Sequence, residues 1–229
     1  MNEKGMARVD WLSVMAFVAV SATFVRAIAF TPLEVRQGLA QKIFYVHAPA
    51  AWVAFLAFGL VALCGILYLW LRDLRLDSVA ESSAEVGVVF TTVVLITGPI
   101  WGKPVWGTWW TWDARLTLTL FLWFVYVGYI ILRGAVDDPV MRARYCAVLG
   151  VLGALLIPFI HLSVYLFRTL HPLPIVLKTS RPSLPGEMLT TLLLAFLSFT
   201  LLFVALLRAR YRLAILRQED RARVGDDDA

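Results

Sequence analysis

Three histidines and one tryptophan-rich stretch carry most of the chemistry this chain could perform. The stretch, Trp101 to Arg115, reads WGKPVWGTWWTWDAR and holds Trp101, Trp106, Trp109, Trp110 and Trp112, five of the nine tryptophans in 229 residues. Gly102, Pro104 and Gly107 interrupt it, so neither a spanning helix nor a regular strand fits easily. We read it as a loop paved with indole rings. An aromatic belt at a bilayer surface is the plainer reading. A belt, however, spreads Trp and Tyr over many helix ends, and five in one loop point to a binding platform. Asp113 stands just before an apolar run, where a carboxylate caps a helix by accepting from free backbone N–H groups. The positive end of that helix, with Arg115 beside it, suits an anion next to the indoles.

The elements that must position these groups are membrane helices. Sixty per cent of the residues are hydrophobic, which sets the class. A spanning helix needs roughly 20 apolar residues, and six stretches qualify: approximately 11–30, 45–71, 86–101, 116–132, 145–167 and 188–207. The expected fold is all-α, one bundle over 1–229, with polar connections, a tryptophan loop at 101–115 and a charged tail at 208–229. With six spans both termini share one side. That side carries thirteen of the 21 Lys and Arg residues, the other carries seven, and Arg26 lies within the first span. The positive-inside rule therefore makes the termini cytoplasmic and turns the tryptophan loop outward. The net charge of +5 follows from this topology and is no argument for nucleic acid. Ala27-Ile-Ala29 resembles a signal-peptidase site, but the apolar segment runs on to Phe30 and is long enough to stay as an anchor.

On this map all three histidines fall in the outer half. His47 opens the second span within YVHAPAAW, with Pro49 expected in the first helical turn. His161 lies on the fifth span, which Pro158 is expected to kink. His171 sits in an irregular, proline-rich outer loop. At about 1.5 Å per residue His161 lies roughly 9 Å inside the end of its helix, so His47 and His171 are better matched in depth. Two imidazoles at one level beside an aromatic platform suit a six-coordinate iron porphyrin, its propionates drawn to Arg or Lys. Taken singly, each could be an interfacial histidine with its tip in water. For His161 we expect a helix–helix hydrogen bond or a supporting contact, because a polar group at membrane depth is costly without one.

Other chemistries fit less well. Zinc needs three or four close ligands. Proton-coupled transport uses an acidic residue within the bilayer, and the core of each span lacks Asp and Glu. There is no phosphate-binding glycine loop, nucleophile elbow or paired carboxylate site, so no catalysis is expected. Cys64 and Cys146 fall near inner helix ends, on the reducing side, and read as packing residues. Without a CxxCH the chain does not attach haem to itself.

WGKPVWGTWWTWDAR, with YVHAPAAW upstream and RTLHP downstream, resembles the tryptophan-rich (WWD) family of haem-handling proteins, and in length and span number its CcmC branch in cytochrome c maturation. The likeness runs from about Trp11 to Leu207. It implies a multi-pass protein of the bacterial inner membrane with its haem site facing the periplasm. It implies non-covalent haem b with His47 and His171 as axial ligands. Trp106, Trp109, Trp110, Trp112 and Asp113 would belong to the loop that holds the macrocycle, with Trp101 and Arg115 beside them. The partners implied are the haem chaperone CcmE, the ABC transporter subunits CcmA and CcmB, and the small subunit CcmD. Two other readings stay open: an exporter passing haem through the bundle, and a membrane enzyme acting on lipid or quinone with His47 as base.

Overall fold

The structure, a computed structural model, describes residues 9–173, 178 and 183–227, with side chains as far as Arg217. Lys4 and Arg8 of the basic count, and Pro174, Arg181 and Pro182 of the outer loop, lie outside the described residues. Among those described, every regular element is helical: α1 Trp11–Val25, α2 Phe44–Leu71, α3 Leu74–Trp106, α4 Ala114–Ala135, α5 Pro139–Ala154, α6 Leu156–Leu166 and α7 Gly186–Asp227. Wide-turn and tight-turn helical segments, Arg26–Phe30 and Leu39–Ile43, extend α1 and lead into α2. Among the described residues six helical spans are long and apolar enough to cross a membrane, α5 and α6 together forming the fifth.

The boundaries differ from the sequence reading at several helix ends. Residues 74–85, expected as a polar loop, are helical and continue into the third span. Asp73 caps them by accepting from the Arg75 N–H, and the polar residues have partners to meet. The Asp77 and Glu81 carboxylates both reach Arg133 of α4, at 2.7 and 2.8 Å. At its other end α3 does not stop at Trp101. It absorbs Pro99 and Pro104 and runs to Trp106, so the loop is confined to 107–113. Gly107 ends the helix with a left-handed φ of 78°, its N–H bonded to the Lys103 carbonyl. Pro49 lies inside α2 and not in its first turn. Finally, the last span runs unbroken into the tail, as helix through Asp227. The fifth span does break as expected, at Leu155, three residues before Pro158.

α2 is the central post. Its Ala50, Val53, Ala57, Phe58 and Val61 are fully buried against the neighbouring helices. The Phe58 ring stacks on Tyr126 of α4 with centroids 3.6 Å apart. Close approach depends on small residues. A Cβ at Gly87 would stand 2.5 Å from Phe58 Cε1, and one at Gly150 would stand 2.7 Å from Val61 Cγ1. Cys64 and Cys146 are free and buried, consistent with packing roles.

Candidate functional site

The end of the bundle that carries the tryptophans is assembled from α2, α3, α4 and the segments flanking them. His47 stands in the first turns of α2, facing α3. Its Nδ1 meets Thr97 Oγ1 at 2.9 Å. The ring fits there because position 98 is glycine: a Cβ on Gly98 would lie 3.3 Å from His47 Cε1. Trp101, one helical turn beyond Thr97, contacts the imidazole edge-on with centroids 5.7 Å apart. Trp101 is itself held by Phe44 and by an indole N–H donated to Gln37 Oε1 at 3.0 Å.

From Trp101 the rings continue without a gap. Trp106 follows at 6.5 Å, its ring resting on the space left by Gly102, and His171 lies 6.2 Å beyond it. His47, Trp101, Trp106 and His171 thus form one row of four rings, each in contact with the next. His47, His171 and Arg115 lie within electrostatic reach of one another. The His171 Nδ1 faces the Pro172 carbonyl at 3.3 Å, which can only accept, so Nδ1 carries the proton and Nε2 keeps its lone pair. Removal from water, with the Arg115 charge adding to it, pushes this imidazole down to about 4, so it is neutral near pH 7.

Asp113 joins two segments. Oδ1 caps α4 by accepting from the Leu116 N–H at 3.0 Å, as its position in the sequence suggested. Oδ2 accepts from the Leu170 N–H at 3.3 Å, which ties the residue before His171 to the tryptophan loop. Thr169 Oγ1 adds a bond to the His171 carbonyl at 3.1 Å. Trp109 and Trp112 are exposed, at 59% and 76%, and form an open apolar shelf. Trp110 packs against Trp112 at 5.7 Å, and its buried indole N–H has no acceptor among the described residues. Arg115 makes no ion pair among the described residues.

The donor set fits a bis-imidazole iron porphyrin: two imidazoles, flat apolar rings beside them and, for a propionate, a guanidinium that has no ion pair among the described residues. Among the described residues no cluster of three His, Cys, Asp or Glu could hold a bare metal ion. His161 stands apart. It is exposed on α6, its one ring neighbour is Tyr165 at 6.4 Å, and the expected helix–helix bond is absent among the described residues. The break at Leu155 starts a new helix whose buried face is Ile160, Ser163 and Val164, which turns His161 away from the bundle.

Thr97, Gly98, Gln37 and Thr169 were not singled out from sequence. For Thr97 a signal existed: it stands four residues before Trp101, so a helical reading puts both on one face. Gln37 and Thr169 lie on connecting segments whose partners no periodicity discloses.

Comparison with known proteins adds an independent line. The family model described as "CcmC: Heme exporter protein C" matches residues 3–225. The chain is 38% identical over 212 residues to a Bradyrhizobium diazoefficiens protein named heme exporter protein C, covering 93% of this chain and 80% of that one. Proteins of the same name from Haemophilus influenzae and Escherichia coli K12 are each 36% identical. They cover 90% and 93% of this chain and 83% and 86% of their own lengths.

Proposed function

This chain belongs to the heme exporter protein C family of cytochrome c maturation, and from that premise we propose that it holds haem at one membrane face and hands it to a chaperone. His47 and His171 would hold the iron, each offering Nε2. Trp101 and Trp106 line the gap between them. Trp109, Trp110 and Trp112 support the macrocycle, and Arg115 takes a propionate. Asp113 keeps the His171 segment against the loop. The single observation that carries this reading is the row of four rings linking the two imidazoles.

Bound here, iron porphyrin supplies the colour, the redox couple and the reactive vinyl groups, and the chain supplies position and electrostatics. The exposed shelf of Trp109 and Trp112 leaves one edge of the site open to a partner. That partner is the chaperone CcmE, with CcmA, CcmB and CcmD completing the transporter assembly. The bound species is non-covalent haem b, the membrane is the bacterial inner membrane, and the site faces the periplasm. The middle of the bundle is filled by fully buried Phe58, Leu122 and Tyr126, which favours a surface platform over a path through the core.

The absorption spectrum of the purified protein tests this, before and after dithionite. We expect a bis-histidine Soret band in wild type, and its loss or a high-spin shift in His47→Ala and His171→Ala. A bis-histidine spectrum surviving in both variants would remove the assignment.

A further inference from the structure

We propose that Thr97 is a positioning residue for this site: it sets the tautomer of His47 and so determines which imidazole nitrogen is offered to iron. The inference rests on His47 being a haem ligand.

The argument is a count of protons. Thr97 Oγ1 lies 2.7 Å from the Val93 carbonyl one turn back, and that oxygen can only accept. The hydroxyl proton is therefore spent there, and Thr97 meets His47 as an acceptor. Nδ1 must then carry the imidazole proton at the 2.9 Å contact, and Nε2 keeps a free lone pair. In the opposite arrangement, Thr97 donates to Nδ1 and abandons Val93. The proton then sits on Nε2, which cannot bind metal.

Two contacts elsewhere in this molecule show which arrangement its helices use. Thr92 donates to the Val88 carbonyl at 2.8 Å and accepts the indole N–H of Trp123 at 2.8 Å. Thr200 donates to the Phe196 carbonyl at 2.7 Å and accepts the indole N–H of Trp52 at 3.2 Å. An indole nitrogen can only donate, so in both cases the threonine relays from ring N–H to helix carbonyl. Thr97 repeats that geometry with an imidazole in the indole's place. One turn of α3 then holds the ring on three sides: Thr97 at Nδ1, the bare Gly98 backbone below Cε1, and the Trp101 edge.

The acceptor has an electronic consequence as well as a geometric one. A ligating imidazole whose far N–H is hydrogen-bonded is a stronger donor to the metal. Thr97 should therefore favour the ferric form and slow release.

The test uses full-length protein in detergent, loaded with haem, comparing wild type with Thr97→Val, Thr97→Ala and Thr97→Ser. Readouts are the midpoint potential and the rate of haem transfer to apomyoglobin. Valine and alanine should raise the potential and speed release about tenfold, in line with losses of outer-shell partners. Serine, which restores the hydroxyl, should behave as wild type. Alanine keeps the test open where valine crowds the ring. A haem-bound wild type whose valine and alanine variants match it in both readouts would overturn the role of Thr97 alone. So would a serine variant as impaired as valine, since that marks packing and not hydrogen bonding. A wild type that never holds haem would instead sink the site on which the inference stands.

Discussion

Asp113 shows how much one carboxylate can organise when its two oxygens face different segments. Oδ1 serves the helix and Oδ2 serves the chain leading to His171. Asp113→Ala should cost about 1 kcal/mol through the lost cap. It should also lower the haem-to-protein ratio, because the His171 segment loses its tether. Asn keeps one acceptor oxygen and should fall between the two. Full haem retention in the alanine variant, read from the Soret-to-280 nm ratio, would count against this tie. The His171 imidazole makes a second prediction. Its folded value, about 4, lies below the ordinary 6.5. A histidine kept neutral by the fold loses stability as pH falls from about 6.5 toward 4, where the unfolded chain takes up a proton that the folded one refuses. Nε2 should meanwhile stay free to bind iron down to about pH 5. A pH titration of the bis-histidine spectrum checks this, and a transition centred near 6.5 would contradict it.

Elements were legible where they were apolar and obscured where they were not. Charges at Asp77, Glu81 and Glu85 read as a loop because, taken locally, polar residues end a span. They are helical because Arg133 and Arg210 meet them from α4 and α7. At 33 residues α3 is about 50 Å long, well beyond a hydrocarbon core of about 30 Å. It therefore projects at both ends, carrying carboxylates at one and Trp101 and Trp106 at the other. The close crossing of α2 and α3 at Gly87 makes a sharp prediction. Gly87→Ala would press on a Phe58 ring that is itself stacked on Tyr126, and should lower stability by about 1–3 kcal/mol. Gly59→Ala, in the same bundle with nothing within 4 Å, should be neutral or slightly stabilising. Thermal unfolding in detergent compares them, and equal midpoints would show that the crossing is looser than its geometry.

The whole molecule has two polar ends joined by an apolar middle. At one end lie the four-ring row, Asp113 and a cluster in which Arg26 donates to Thr191 while Thr31 and Thr191 share a hydrogen bond. At the other, Arg133 clamps Asp77 with two bonds of 2.7 and 2.9 Å, and Arg208 lies 3.7 Å from Asp10. The Lys and Arg excess leads us to propose that the second end faces the cytoplasm. Cys64 and Cys146 are buried, so a new surface thiol can report sidedness against a quiet background. A membrane-impermeant maleimide should label Thr108→Cys in intact spheroplasts and Arg72→Cys only after permeabilisation. The reverse pattern would invert the topology.

Amino-acid order by itself determined the membrane class, the six apolar stretches and the residue types of the site. Hydropathy, aromatic density and charge asymmetry are properties of neighbouring residues and need no fold to be read. Family resemblance added what the two histidines would be for. Only the tertiary structure decided that His47 meets Thr97, that Asp113 bonds to the His171 segment, and that His161 faces away. Those outcomes depend on contacts between residues 50 and 57 positions apart and on the helix break at Leu155. Hydrogen-bond partners so distant in sequence are chosen by how helices pack, and no local pattern encodes that choice.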